Sequence, residues 1–235
     1  MIDVHCHIDQ FKNPLKIAKN AEIAGIVTIG VTSLPDHFKL GYPHLANFKR
    51  VRLALGYHPM LVGDEKFDER LFRSLAGKTS YIGEIGLDFS DKSKSKQQQI
   101  DTLRKILHII KDRPRFISLH SRRAESDLLD LLHDYKIKNA IFHWYSGPLT
   151  LIDKVIRAGH YFSINPAMIK SKNGKKIVER ITADRILTES DGPYVKINSV
   201  PAQPKDTRLV IEHLKLIWNK SFEEVEQIIL IISRY

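Results

Sequence analysis

Two histidines near the start of the chain are the side chains whose type and spacing point most directly to chemistry. His5 and His7 are separated by one residue and follow the apolar segment at residues 2–4. In an extended backbone, residues i and i+2 project from the same face, so both imidazoles can reach one metal ion. Many histidine pairs with this spacing have only a structural role. The positions of the other ionisable residues therefore decide whether the pair indicates a metal site.

Four further residues of metal-ligand type lie at or just after the ends of other predicted strands: Glu84, His120, His143 and Asp191. The carboxyl ends of parallel strands meet on one face of an α/β fold, so these side chains should converge with the two histidines. Six such ligands are too many for one tetrahedral zinc ion and suit two metals that share a carboxylate, for which Glu84 is the natural bridge. We expect two divalent cations, magnesium, manganese or zinc.

The elements that must position these residues recur along the whole chain. Short β-branched or apolar runs are spaced by roughly 20 to 35 residues, the length of a βα unit. They occupy residues 2–4, 26–31, 51–55, 81–85, 116–119, 140–142, 161–164 and 186–187. Eight parallel strands are the number that closes a barrel. The sequence predicts a (β/α)8 barrel.

Helix signals fill the intervals between these strands. Asn13 is a candidate N-cap, Pro14 suits the first helical position, and Gly25 is a candidate stop. Near the end of the chain, Ser221 and Glu224 have the spacing of a capping box. Alternation of helices with strands throughout favours one barrel domain spanning residues 1–235.

Composition limits the class of protein. The 235 residues are 43% hydrophobic, and neither a membrane-length apolar run nor a signal-peptide pattern is found in the sequence. The single cysteine, Cys6, alternates with the two histidines and should face packing helices. We expect a soluble cytoplasmic protein with no membrane partner. The formal charge of +10 suggests an anionic partner such as nucleic acid.

Six short motifs resemble, in order and over nearly the whole chain, those of the TatD family of metal-dependent deoxyribonucleases. They are HCH (5–7), GYHP (56–59), GEIGLD (83–88), LHSR (119–122), HWYSG (143–147) and ESDGPY (189–194). The resemblance implies a barrel that cleaves DNA phosphodiesters, often from an end. It implies one metal on His5, His7, Glu84 and Asp191, and a second on Glu84, His120 and His143.

A narrower resemblance is to the TatD-like member of the Qat anti-phage defence operons. It is carried by the shortened length and by the opening IDQFKNP. It implies other proteins of a Qat-type defence complex as partners. The chain departs from the family pattern at Met60, Trp144, Ser190 and Gly192, which affects substrate preference and leaves the metal set intact.

Other residues are candidates for catalysis and for contact with substrate. Asp191 could accept the proton of the attacking water. His58 and Arg122 occupy family positions near the scissile phosphate, where Arg122 could bind a phosphate through its planar fork. As alternatives, His58 could be a structural loop residue and Arg122 a solvated one. Trp144 is the preferred residue for stacking on unpaired bases.

Lysines after several predicted strands would lie at the rim of the active site. Among these lysines, Lys172 is our candidate for contact with DNA. Basic residues also precede the fifth and sixth strands, so the charge is biased toward one end without being confined to it. They are Arg113, Arg115, Lys136 and Lys138.

Three functions remain open at this stage. The first is a metal-dependent nuclease that cleaves single-stranded or frayed DNA ends. The second is a small-molecule amidohydrolase, because the same two-metal site can attack amides and lactones. The third is a component without catalytic activity that binds nucleic acid or partners.

Overall fold

The computed structural model describes residues 1–233, in which eight parallel strands alternate with helices. The strands are β1 (Ile2–Cys6), β2 (Val27–Gly30), β3 (Val51–Leu53), β4 (Tyr81–Asp88), β5 (Phe116–Arg122), β6 (Ala140–His143), β7 (Tyr161–Ile164) and β8 (Ile186–Thr188). The helices are α1 (Pro14–Ile23), α2 (Pro35–Leu45), α3 (Glu69–Ala76), α4 (Lys96–Ile110), α5 (Glu125–Asp134), α6 (Leu149–Arg157), α7 (Lys172–Arg180), α8 (Thr207–Trp218) and α9 (Phe222–Ile232). A two-stranded hairpin, β9 (Lys196–Ile197) and β10 (Val200–Pro201), lies between β8 and α8.

The strands close into a barrel, as predicted. Strands β1 to β3 and strands β4 to β8 pair in sequence order in two arcs. A parallel bridge between Leu55 and Ile82 joins the arcs on one side. On the other side, the amide of Asp191 donates to the carbonyl of His5 at 2.9 Å. The last strand thereby meets the first, which brings residues from both termini of the sequence to the same site.

Strands β4 and β5 extend beyond the predicted segments, and their extensions carry functional side chains. The ladder between them continues to the pair Asp88 and Arg122. Gly86 permits this close pairing, because a Cβ there would lie 2.0 Å from the carbonyl oxygen of His120. The extra length places Asp88 and Arg122 at the same end of the barrel as Glu84.

The predicted helix ends are confirmed. The side chain of Asn13 accepts a hydrogen bond from the Lys16 amide at 3.1 Å, and Pro14 is the first residue of α1. Gly25 lies just beyond this helix with φ +70°, in the left-handed region. Both hydrogen bonds of the predicted capping box before α9 are present.

Side chains alternate along β1 between the apolar core and a second, polar face. Ile2, Val4 and Cys6 are buried in the main hydrophobic core, and the intervening Asp3 and His5 are buried polar residues. Cys6 is therefore packed as the sequence predicts. Along residues 1–233, the helices lack the combined length and apolarity that a membrane crossing requires.

Candidate metal centre

Glu84 lies in the centre of the site at the carboxyl end of the barrel, and its side chain is almost fully buried. Both of its carboxylate oxygens face imidazole nitrogens. Oε2 lies 3.1 Å from His7 Nε2, 3.4 Å from His58 Nε2 and 3.6 Å from His5 Nε2. Oε1 lies 2.6 Å from His120 Nδ1 and 3.0 Å from His143 Nε2. One carboxylate thus presents different oxygens to two groups of histidines, as a bridging ligand must.

Asp191 faces the same cluster from the loop that follows β8. Its Oδ1 lies 3.7 Å from the Nε2 atoms of both His5 and His7. The residue has φ +45°, which is costly for a side chain other than glycine, and its amide hydrogen bond to His5 holds it there. The structure therefore brings together all six residues that the sequence nominates as ligands.

The donor set fits a divalent metal. Three triads of ligand atoms each lie within 4.8 Å of one another: His5, His7 and Glu84; His5, His143 and Asp191; and His58, Glu84 and His120. Within residues 1–233, the buried atoms His7 Nδ1, His143 Nδ1 and Asp191 Oδ1 lack a hydrogen-bond partner. Buried polar atoms normally have a hydrogen-bond partner. The unpartnered Asp191 Oδ1, which lies among imidazole nitrogens, is therefore suited to bind a metal cation.

The triads differ in membership from the grouping that the family resemblance implies. His143 lies beside His5, with stacked rings whose centroids are 3.8 Å apart. His58, expected near the phosphate, lies within reach of Glu84 and His120. Its Nδ1 accepts a hydrogen bond from the Met60 amide, which leaves Nε2 facing the cluster.

Burial disfavours the charged form of every group in the cluster, and the neighbouring charges decide each outcome. Burial of Glu84 is outweighed by the imidazoles, with His58 and His143 foremost, so its pKa lies well below the usual value. Burial, with His143 nearby, holds the pKa of His5 well below its usual value. Burial raises the pKa of Asp191 to about 7, against the opposing effect of His143. An ionised Glu84 beside a neutral His5 is the protonation pattern of metal ligands.

Asp88 is a functional residue that the sequence reasoning missed. Its Oδ2 lies 2.7 Å from His120 Nε2, and it accepts hydrogen bonds from both the amide and the hydroxyl of Ser90. A carboxylate on the second nitrogen of a ligand histidine fixes the orientation and tautomer of the ring. Strand periodicity could have identified Asp88, because Glu84 and Asp88 are four residues apart on one strand and share a face.

Glu189 has a similar place beside His143 and was also missed. Its side chain is fully buried, and Oε1 lies 3.5 Å from His143 Nδ1. The same oxygen accepts hydrogen bonds from the Trp144 amide at 3.1 Å and from the Asn165 side chain at 2.9 Å. Glu189 precedes Asp191 by two residues, which is the spacing that identified His5 and His7.

The cluster opens into a cavity of about 670 Å³. Arg122, Trp144 and Tyr194 line it, and all three side chains are exposed. The rings of Tyr194 and His7 are nearly perpendicular, with centroids 4.8 Å apart. Lys172 does not line the cavity; it is the exposed first residue of α7. The structure thus brings Arg122 and Trp144 to the cavity and places Lys172 outside it.

Comparison with known proteins shows which family the chain belongs to. A family model described as TatD related DNase matches residues 2–234. The chain belongs to the TatD family. It is 33% identical to an uncharacterized metal-dependent hydrolase of Methanocaldococcus jannaschii, covering 97% of this chain and 93% of that protein. It is 24% identical to human deoxyribonuclease TATDN3, covering 97% of this chain and 91% of that protein.

Solved structures show the same fold for this TatD family member. A TatD homologue from Escherichia coli K12 superposes with a TM-score of 0.90 at 20% identity, covering 99% of this chain and 96% of that one. A dihydroorotase from Campylobacter jejuni superposes with a TM-score of 0.60 at 12% identity, covering 99% of this chain and 81% of the other. Membership of the TatD family makes the chain a metal-dependent hydrolase.

Proposed function

We propose that this TatD family hydrolase cleaves phosphodiester bonds of DNA, as an exonuclease on single-stranded or frayed ends. The observation that carries the proposal is a buried carboxylate and imidazole cluster that opens into a cavity with a guanidinium and two aromatic side chains at its rim. An anionic diester needs charge neutralisation as well as a nucleophile. The name of the human relative, a deoxyribonuclease, supports the substrate class.

The residues proposed to hold two divalent ions are His5, His7, Glu84, His120, His143 and Asp191. Magnesium, manganese and zinc all suit such a mixed set of imidazoles and carboxylates. When bound, the ions would neutralise the phosphate and make a water nucleophile available near neutral pH. Asp88 would hold the ring of His120 in the required orientation through its hydrogen bond, and Glu189 would act on His143 through its charge, 3.5 Å from Nδ1.

The remaining chemistry belongs to side chains at the cavity. Asp191 would accept the proton of the attacking water on Oδ2, because Oδ1, the oxygen that faces His5 and His7, is the one suited to bind a metal ion. His58 presents Nε2 to the cavity, where it contacts the phosphate or protonates the leaving oxygen. Arg122 binds a phosphate oxygen pair through its fork.

Trp144 and Tyr194 are proposed to stack on unpaired bases. Both rings are exposed at the cavity, and stacking needs a single strand or a frayed end because paired bases are covered. Lys172, outside the cavity, would contact the backbone further along the strand.

The test is cleavage of end-labelled single- and double-stranded oligonucleotides across magnesium, manganese, zinc and nickel. Product lengths report the polarity of attack and distinguish exonuclease from endonuclease action. EDTA should abolish cleavage, and Glu84→Gln should lower it by about a thousandfold or more. Glu69→Gln, an exposed glutamate on α3, is the matched control. Full activity of Glu84→Gln, with its fold verified by circular dichroism, would overturn the mechanism.

The same assay separates the other two functions. A small-molecule amidohydrolase should leave every oligonucleotide intact and turn over amide or lactone substrates, with little dependence on salt. A component without catalytic activity should bind the oligonucleotides and cleave none of them with any of the four metals. The nuclease should lose activity steeply as salt is added.

We also propose that the chain associates with other proteins of a Qat-type defence complex. This part of the proposal is supported only by the length and the opening residues of the sequence. Its test is co-elution of this chain with the proteins encoded beside it in size-exclusion chromatography. Separate elution at micromolar concentration would contradict the association.

A further inference from the structure

The amino end of the barrel, opposite the metal centre, holds a second cavity. Its volume is about 640 Å³, within the range of small-molecule sites. Tyr81, Phe116 and Tyr161, the first residues of β4, β5 and β7, line it. The loops before β5 and β6 form its rim. This cavity is nearly as large as the one at the metal centre and shares no lining residue with it.

The rim of this second cavity is strongly cationic. Among the described residues that line it, one carboxylate, Asp112, accompanies five cationic side chains, which are Lys111, Arg113, Arg115, Lys136 and Lys138. Burial, reinforced by the nearby Arg113, lowers the pKa of Arg115. Cations gathered in a concave surface repel one another, and a bound anion would relieve that repulsion.

A smaller cleft of about 150 Å³ continues from the rim. Arg113 and Arg115 line both the cleft and the larger cavity, and Lys78 is added in the cleft. Arg115 is held in place by hydrogen bonds from Nη1 to the carbonyls of Ala76 and Thr79. A fixed guanidinium is preorganised for a phosphate group at the rim where the cleft meets the larger cavity.

The floor of the cavity offers aromatic surface. Tyr81 and Phe116 are partly exposed, with ring centroids 5.8 Å apart. Tyr161 is buried, and the guanidinium of Arg185 lies 4.9 Å from its ring centre. Partly exposed aromatic rings below a cationic rim match a ligand that has a flat apolar part and an anionic part.

We infer that the amino end of the barrel binds a nucleotide, with the base against Tyr81 and Phe116 and the phosphate between Arg113, Arg115 and Lys138. The nucleotide is either free or the phosphorylated end of a nucleic-acid strand, since both present the same groups. This site is separate from the metal centre and does not require hydrolysis there.

The experiment is calorimetric titration of the full chain with AMP, adenosine and inorganic phosphate in EDTA, which keeps metal-bound phosphate out of the measurement. AMP should bind saturably and at least about tenfold more tightly than adenosine or phosphate, because only AMP uses both parts of the site. Absence of saturable AMP binding, or equal binding of phosphate alone, would overturn the assignment.

The double variant Arg113→Ala/Lys138→Ala should weaken AMP binding by about tenfold or more. Both side chains are exposed, so their removal leaves the core intact. Lys19→Ala/Lys39→Ala removes the same charge from the outer faces of α1 and α2 and should change binding by less than about twofold. If AMP binding weakened equally in the two double variants, the positive charge of the whole protein would attract AMP without a specific site, and the assignment would be rejected.

Competition identifies the source of the nucleotide. A 5′-phosphorylated oligonucleotide that displaces AMP more effectively than its 5′-hydroxyl counterpart indicates the end of a strand. AMP that resists displacement indicates a free nucleotide. Lys136→Glu is a further variant that should weaken AMP binding. Unchanged AMP binding in both Lys136→Glu and Arg113→Ala/Lys138→Ala would also reject the site.

Discussion

Two buried histidines, His143 at the carboxyl end of the barrel and His160 at the amino end, have pKa values shifted in opposite directions. At the carboxyl end, burial of His143 is outweighed by the carboxylates of Glu84 and Glu189, and its pKa lies well above the usual value. At the amino end, burial of His160, with Arg185 nearby, lowers its pKa to about 4. Burial opposes protonation of both imidazoles. The carboxylates outweigh it at His143, whereas at His5, which also lies near Glu84, burial and the neighbouring His143 prevail.

The ends also differ in how they would bind anions. The carboxyl end is lined mainly by carboxylates and imidazoles, so it would attract a phosphate mostly through bound metal ions, with Arg122 as the cationic side chain at its rim. The amino end has its own cations at the rim of a cavity and needs no metal to attract an anion. Substitutions at the carboxyl end should therefore alter metal-dependent cleavage, and substitutions at the amino end should alter anion binding without metal.

The largest effect should come from Asp191 at the carboxyl end. Asp191→Asn keeps the shape of the side chain and removes the proposed acceptor of the proton from water. We expect DNA cleavage to fall by about a thousandfold. The measurement is the rate on a single-stranded oligonucleotide, with the exposed Asp184→Asn as the matched control. A loss of less than about tenfold would remove Asp191 from the mechanism.

His160 tests the contrast in histidine behaviour at the amino end. The unfolded chain takes up a proton at this residue below about pH 6.5, whereas the folded protein resists protonation down to about pH 4. The free energy of unfolding should therefore fall as pH drops from 6.5 to 4, by at most about 3 kcal/mol from this residue.

His160→Asn isolates that effect, because asparagine can still accept a hydrogen bond from the Ala140 amide but does not titrate. Urea denaturation of both proteins in EDTA, at pH 7 and at pH 4.5, measures the change. The variant should lose less stability on acidification than the parent protein. Equal losses would show that His160 is not the residue that titrates.

Glu189 tests whether the second nitrogen of a ligand histidine matters at the carboxyl end. Glu189→Gln removes the negative charge beside His143 Nδ1 while keeping hydrogen-bonding capacity toward Trp144. Metal affinity should fall by about 10- to 100-fold. Titration with a competing chelator measures it, and the exposed Glu179→Gln on α7 is the control. Unchanged affinity would assign Glu189 a purely structural role.

Trp144 should give the smallest of these effects. Trp144→Ala removes a proposed stacking surface and should raise KM for a single-stranded substrate by about fivefold or more, with little change in kcat. Trp144→Phe keeps an aromatic ring and should restore most of the affinity. If the two variants behave alike, the ring does not stack on a base.

The metal cluster was accessible from the sequence because strand periodicity and barrel topology leave few alternatives. The spacing of His5 and His7 fixes their common face, and a parallel barrel sends Glu84 and Asp191 to the same end. The orienting carboxylates could have been found in the same way, since Asp88 and Glu189 share faces with residues already identified. They were missed because each lies beside a stronger candidate.

Other features were not accessible to such reasoning. The position of Lys172 outside the cavity depends on how a long loop leads into α7. The proximity of His143 to His5 depends on the packing of two strands that are not neighbours in the sheet. Loop geometry and side-chain packing depend on contacts between distant parts of the chain, which local patterns do not encode.

The sequence by itself determined the barrel, the helix ends and the set of six candidate ligands, because periodicity, capping and strand order are local properties. Only the tertiary structure decided which oxygen of Glu84 faces which histidine and that His143 lies beside His5. It also decided that the basic residues before β5 and β6, among them Arg113, Arg115 and Lys138, line one cavity with aromatic rings. These outcomes depend on distances of a few ångströms between residues far apart in the chain, and only the closed barrel fixes such distances.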